Sequence, residues 1–474
     1  MRGNIWQRRA GSAAIATVLT CITLLAPPVA AAAAAGSADP LTVRGVQAGG
    51  ATYVIKMPRN WNGTVLTFSP GYGKGAGIEQ RPAELGGTAD ARRWLLAHGY
   101  ALTGTRPFGD GWAVEELLRD VPRTMDIFRE TFGRPEAALA WGASMGGAVT
   151  AGLAQNRQDV IDGALPYCAS VAGPVAMLNQ SLDAAFAFRT LLAPDEAALQ
   201  LVGFASPADE ARTTSRAELI LHAAQRTAEG RARIALAAAF AQISTWSVPG
   251  TPEPARHDWA GQQAQQYAAF MPTVFSPRYP LEQRAGGNFS WNVGVDYREQ
   301  LRHSGRLQQV RALYERAGLD LDDDLERLNE APRIKADPAA VRYMESYFTP
   351  SGELAVPVLT VHGRGDNYPT VTQARAYADA VRRAGDHRML RQAFVNRPGH
   401  CNYTSAELLA AVLTLEHRVR TGTWQSAKAN SMNRLAADLR AQKPELGPAK
   451  FVPLMPNRFL RPHLPKTASR EDPR

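Results

Sequence analysis

Glu136-Ala-Ala-Leu-Ala-Trp-Gly-Ala-Ser-Met-Gly-Gly-Ala-Val-Thr-Ala-Gly-Leu-Ala154 decides how this chain is read. Glu136 to Trp141 is a short apolar run of strand type, and Gly147 to Ala154 is small and helix-compatible. Between them Gly142-Ala143-Ser144-Met145-Gly146 has to be a tight turn from strand to helix. A serine on such a turn is held on a strained backbone with its hydroxyl exposed above a sheet. Its neighbours must be small because the chain reverses too sharply to accommodate side chains. A bare G-x-S-x-G is common by chance, so the flanking strand and helix patterns carry the weight.

Strand, turn and serine together resemble the nucleophile elbow of the α/β-hydrolase superfamily. The resemblance implies an α/β-hydrolase fold: a mostly parallel central sheet, here with a large helical cap insertion. It also implies an order along the chain of serine, acid and histidine, each at the C-terminal end of a strand. Ser144 is then the nucleophile. Downstream, Val356 to His362 reads as a buried strand and Gly363 to Pro369 as the loop after it, which puts Asp366 at the family's acid position. Thr370 and Gln373 predict a capping box opening a helix that ends at Gly385. Met389 to Val395 is the next strand, and the loop after it puts His400 at the position of the base. Thr404 and Glu407 cap a further helix that closes near Gly422. Taken singly, Asp366 reads equally well as a turn residue and His400 as a surface-loop histidine; their order, each after its own strand, carries the assignment. His98, His222, His257, His303, His387, His417 and His463 lie within or beside helical or polar stretches, and His362 lies inside the strand before the acid.

In acyl transfer by such a triad, His400 takes the serine proton during attack and returns one to the leaving group, while Asp366 holds the imidazole in the required tautomer. Oxyanion stabilisation needs two backbone N–H donors. One is expected from Met145, the residue after the nucleophile. The other is expected from the loop following Thr64-Val-Leu-Thr-Phe68, where Ser69-Pro70-Gly71-Tyr72 stands in place of the His-Gly-Gly of many lipases, making Tyr72 or Gly71 the donor. The glycines from Gly71 to Gly77 match neither G-x-G-x-x-G nor a P-loop, so nucleotide binding is not expected. No metal or organic cofactor is called for.

Residues 1–35 read as a secretory signal peptide: Arg2, Arg8 and Arg9 precede an apolar stretch from Ala13 to Leu25, followed by Ala-rich sequence with A-x-A character. Arg8-Arg9 also raises the twin-arginine route and Cys21 a lipoprotein, both on poor surrounding consensus. A secreted product follows, and no other segment approaches the roughly 18 apolar residues of a membrane span. The formal charge is +9, or +6 once the three leader arginines are removed. Much of it falls in the Pro-rich C-terminal extension, residues 426–474, which reads as a partly disordered, solvated end without nucleic-acid motifs.

The hydrolase core then comprises residues 36–170 and 350–425, and residues 171–349 form a helical cap. Leu182 to Leu192, Arg216 to Gln242 and Leu301 to Leu328 are helical in spacing, and no alternating strand pattern interrupts them. Within the cap, Trp291, Asn292 and Tyr297 are the candidate substrate wall and anchors, together with Asn288 and Asp296, against a plain reading as a cap loop packed on its own helices. Past the leader the chain keeps Cys168 and Cys401, candidates for a disulfide across the site or else two buried thiols. A bridge would tether the histidine loop much as one does in tannase and feruloyl esterase-like hydrolases. There the partner cysteine directly precedes the serine, a position held here by Ala143.

Asn60-Trp-Asn-Gly63, Gly111 to Glu116 and Trp291-Asn292 further resemble a group of secreted actinobacterial α/β-hydrolases. Members of that group hydrolyse esters, amides or peptides, so the resemblance does not identify the substrate; the reading adopted is a secreted serine hydrolase acting on a carboxylic ester, small or polymeric. An aminopeptidase or amidase with the same triad is the alternative, its ammonium anchor sought in Asp322-Asp323-Asp324, and a non-catalytic binding module is the third reading.

Overall fold

The computed structural model describes residues 39–73, 82–109, 111–196 and 199–464. The expected leader, residues 1–35, and the end of the Gly-rich loop lie outside them. Nine strands form one sheet: β1 (Leu41–Val46), β2 (Thr52–Met57), β3 (Thr64–Ser69), β4 (Ala101–Arg106), β5 (Ala137–Ala143), β6 (Gly163–Tyr167), β7 (Val358–Gly365), β8 (Leu390–Pro398) and β9 (Phe451–Val452). Their order is β1-β2-β4-β3-β5-β6-β7-β8-β9. The block from β4 to β8 is parallel, and β1, β2 and β9 extend it with antiparallel pairs.

Parallel strands are joined by crossovers that cover both sheet faces, so the central strands are apolar on both sides. β3, β5 and β6 are buried nearly end to end. Successive residues point to opposite faces. Ala138 and Ala140 of β5 therefore pack with α2 (Val114–Phe132) and α3 (Met145–Asn156), and Leu139 and Trp141 pack on the other face. That other face is covered by α1 (Ala89–Ala97), which precedes α2 in the chain, and by two late helices described below.

Between β6 and β7 the described residues form helices alone: α4 (Pro174–Leu192), α5 (Pro207–Ala224), α6 (Ala228–Phe240), α7 (Trp259–Val274), α8 (Tyr279–Ala285), α9 (Tyr297–His303), α10 (Leu307–Ala317), α11 (Leu321–Glu330) and α12 (Pro338–Tyr347). They have a hydrophobic core of their own. Ile234 to Phe240 of the Ala-rich α6 lie buried against α4, α7 and α10, because small side chains let helices approach closely on every side. Beyond β7 come α13 (Thr372–Ala384), α14 (Ser405–Thr421) and α15 (Ala429–Gln442), of which α14 and α15 cover the second sheet face. The box at Thr404 and Glu407 is present, and α14 stops at Gly422. The box expected at Thr370 and Gln373 is not. α13 begins at Thr372 without a side-chain cap, Thr370 Oγ1 pairs with Thr372 Oγ1, and the Gln373 side-chain Oε1 accepts from Ala172 N–H.

The C-terminal extension departs from the solvated end read from its composition. β9 pairs with β8, Phe459 is buried against Ala172 and Ala176, and Arg461 Nη1 donates to both carboxylate oxygens of Asp183 of α4, each at 2.7 Å. Pro448, Pro453, Pro456 and Pro462 lie in an extended strap in which Phe451, Phe459 and Leu460 are buried and Arg461 is paired.

Candidate active site

Ser144 ends β5 and caps α3 with φ 57° and ψ −119°, a backbone conformation rare for a residue bearing a side chain. Its N–H donates to the Tyr167 carbonyl at the end of β6 (3.2 Å), and its own carbonyl accepts from Ser170 N–H (3.2 Å). Both glycines of the turn are dictated by close approach. A Cβ at Gly142 would stand 2.1 Å from the Gly146 carbonyl oxygen, and one at Gly146 would stand 2.0 Å from the Ser69 oxygen and 2.5 Å from that of Pro70. The turn is thus packed directly on the loop after β3. Gly71 of that loop faces the serine, since a Cβ there would lie 3.4 Å from Ser144 Cβ and 4.0 Å from Oγ. Tyr72 is half-buried beside it, and Gly73 accepts from Gly111 N–H, tying the loop to the start of α2. Met145 is buried, and its sulfur accepts from Ala113 N–H.

Asp366 follows β7 and His400 follows β8, the two strands paired side by side. The Asp366 carboxylate is buried, and both of its oxygens lie 3.0 Å from His400 Nδ1. A carboxylate only accepts, so this contact puts the proton on Nδ1 and leaves Nε2 as the acceptor. Tyr368 N–H (3.0 Å) and Cys401 N–H (3.4 Å) also donate to the carboxylate. His362, inside β7, is a different kind of histidine. It is buried, it donates from Nε2 to the Pro369 carbonyl (3.1 Å), and burial holds its pKa below the ordinary value.

Cys168 and Cys401 form a disulfide with their Cα atoms 5.2 Å apart. Cys168 directly follows β6, the neighbour of β5, so the bridge fixes the residue after His400 beside the strand that carries Ser144. One bridge sulfur lies 3.5 Å from His400 Nε2. The two sulfurs and the imidazole lie within 4.8 Å of one another, but sulfurs bonded to each other offer no thiolate to a metal.

The insert reaches these loops through a segment that gave no signal in the sequence. Ser244 N–H donates to Asn367 Oδ1, the Trp246 carbonyl would be 2.3 Å from a Cβ at Gly365, and Pro249 would be 2.5 Å from one at Gly399. Arg364 lies over the Trp246 ring and pairs with Glu253. Tyr368, whose ring meets that of His400 edge-on, is raised in pKa by burial, offset in part by a hydrogen bond from Ser276. The proline and small polar residues from Ser244 to Pro249 are the only local hint of such a packed loop.

The expected substrate residues sit elsewhere than anticipated. Tyr297 and Asn292 are fully buried inside the insert's core: Asn292 Nδ2 donates to the Tyr297 hydroxyl, Asn292 Oδ1 accepts from Ile334 N–H, and the Tyr297 ring stacks on Phe186. Asn288 and Asp296 are likewise occupied, the first tying Ser290 to Lys335 and the second capping α9. Trp291 keeps a partly open side chain, its ring against His463. Aromatic and amide residues close together served helix packing, the plain alternative. The acidic run is also structural in its placement, with Asp320 capping α11, Asp322 paired with Arg298, and Asp324 turned inward to Arg233 and Tyr314.

A mostly parallel sheet carrying a strained serine turn, with a carboxylate and an imidazole after the next strands, makes this an α/β-hydrolase. No family model matches the chain. It is 30% identical over 421 residues to the o-phthalyl amidase of Xanthobacter agilis, a match covering 82% of this chain and 89% of that protein. The chain belongs to the family of that amidase and is a hydrolytic enzyme. Among solved structures it is similar to feruloyl esterase B from Aspergillus oryzae (13% identity, 81% of this chain and 80% of that one, TM-score 0.40). It is also similar to the acylaminoacyl peptidase of Pyrococcus horikoshii (10% identity, 83% of this chain and 44% of that one, TM-score 0.37).

Proposed function

We propose that the chain is a serine hydrolase that cleaves carboxylic esters and amides through Ser144, His400 and Asp366, by way of an acyl-enzyme. The observation that carries this reading is the buried Asp366 carboxylate bonded to His400 Nδ1, on a loop bridged to the strand beside Ser144. With Nδ1 protonated, Nε2 accepts the Ser144 proton during attack and then delivers it to the departing alcohol or amine. Water repeats the attack on the acyl-enzyme. Met145 N–H, at the first turn of α3, and an N–H from Gly71 or Tyr72 are the proposed oxyanion donors, supported by the packing of Gly71 against Ser144.

The family relative supports amides of aromatic carboxylic acids as the substrate, with activated esters as the easier acyl donors for the same machinery. Export with removal of residues 1–35 belongs to the same reading, since a bridge such as Cys168–Cys401 persists in an oxidising compartment. Labelling with a fluorophosphonate should modify Ser144. Ser144→Ala should abolish labelling and lower turnover on the order of 10⁶-fold on a panel of nitrophenyl esters, aromatic carboxamides and aminoacyl anilides. Labelling that survives Ser144→Ala would end this reading. A protein that binds panel members without turning any of them over would be the non-catalytic module instead.

A further inference from the structure

A cavity of about 570 Å³ lies in the insert between the segment before α7 and the start of α10, and Ser144, Asp366 and His400 are not among its lining residues. Arg306 and Arg256 line it, with Trp259, Pro254 and Leu307 as apolar wall. Glu253, the only carboxylate lining it, is already paired with Arg364.

Arg306 is the unusual member. It is half-buried, its Nε has neither solvent nor an acceptor, and no carboxylate pairs with it among the described residues. Arg256 is exposed and likewise makes no ion pair among the described residues. α10 also begins at this wall without a side-chain cap, so its first N–H groups point where an anion is favoured. A half-buried, unpaired guanidinium carries a desolvation cost that a bound anion offsets. Burial pushes the Arg306 pKa down only to about 10, so the group stays charged at neutral pH.

We propose that this cavity is a second ligand site, binding a small organic carboxylate through Arg306 and Arg256 with its apolar body against Trp259. The volume and the indole wall favour an organic acid over a bare inorganic ion.

Calorimetric titration of the full-length Ser144→Ala protein with benzoate, benzamide and inorganic phosphate tests it, since that variant leaves the cavity untouched and removes turnover. Benzoate should bind saturably and benzamide should not, and Arg306→Gln and Arg256→Gln should each weaken benzoate by about tenfold or more. Arg256 is exposed, so its variant reads the site even where Arg306→Gln fails to fold. Absent benzoate binding, equal binding of benzamide, tighter binding of phosphate, or affinity unchanged in both arginine variants would overturn the proposal. Each of those results is independent of fluorophosphonate labelling at Ser144.

Discussion

Removing the Cys168–Cys401 bridge by the double change Cys168→Ala/Cys401→Ala separates what the disulfide does for the fold from what it does for the proposed base, His400. The bridge spans 233 residues of sequence. Loop-closure entropy for that span sets a ceiling of about 5 kcal/mol, and losses of about 2–4 kcal/mol are the usual outcome. For a domain of this size that corresponds to a fall in melting temperature of about 2–4 °C. The histidine loop keeps other ties: Asp366 to His400, Cys401 N–H to Asp366, and Asn402 to the Pro398 carbonyl at 2.9 Å. The sheet should therefore stay folded while the imidazole gains freedom of position, and misplacement by about 1 Å costs roughly 10²-fold in rate. Turnover should fall about 10- to 100-fold with a much smaller change in KM, measured on a nitrophenyl ester alongside a thermal melt. Reduction of the unmodified protein should reproduce both effects. A double variant with turnover within about twofold and an unchanged melt would refute the reasoning.

At the elbow, Gly146→Ala puts a methyl into backbone oxygens of Ser69 and Pro70 and should leave little folded, active protein, whereas Gly71→Ala meets only ordinary contacts at Ser144. The second variant should melt like the parent yet lose about tenfold or more in kcat/KM by crowding the serine; equal behaviour of the two contradicts the packing described. His362 is kept neutral by burial, with Asp366 and His400 as its charged or titratable neighbours. As pH falls through the ordinary imidazole value near 6.5, the unfolded chain takes up this proton before the folded one does, so stability should drop from there downward. Chemical denaturation of His362→Asn should show lower stability at neutral pH but a flatter slope below about 6.5; an unchanged slope removes His362 from the account. Arg461→Met strands the Asp183 carboxylate in the insert's core, where burial already raises its pKa to about 6 against the pull of Arg461. Breaking this pair should cost about 3–5 kcal/mol by denaturant titration, and adding Asp183→Leu should recover much of it; a loss below about 1 kcal/mol would mean that the strap is not anchored there.

The parts of the molecule legible in the sequence are those fixed by local rules. The Ser144 turn, Asp366 and His400 stood out because each lies just past a short apolar strand and before a helix with a recognisable start or stop, and the Thr404–Glu407 box with Gly422 marked its helix at both ends. Thr370 and Gln373 carried the same local pattern, but long-range partners prevailed: the Gln373 oxygen is taken by Ala172, 201 residues away, and the helix starts later without a box. The substrate residues failed for a related reason. Trp291, Asn292 and Tyr297 form a cluster in sequence with no periodicity to say which way they face, and the fold resolved it by sending Tyr297 between Phe186 and Phe240.

The Pro-rich tail was the largest misreading, and its physical cause bears on how the insert is held. Composition reports a mean, whereas the strap is held by single side chains: Phe459 against Ala172 and Ala176, Arg461 on Asp183, and backbone groups of Arg458 and Leu460 on Gln242. Asp183 and Gln242 are buried polar residues of the insert whose partners come from the last stretch of chain, more than 200 residues on. Asn292, Tyr297 and Asp324 are paired within the insert, whereas the charge of Asp183 and part of the bonding of Gln242 are satisfied only once the C-terminal strap has docked. A helical insert that looks self-sufficient from its apolar periodicity depends on the segment that looked least structured, and loss of that segment should loosen the insert before it disturbs the sheet bearing Ser144, Asp366 and His400.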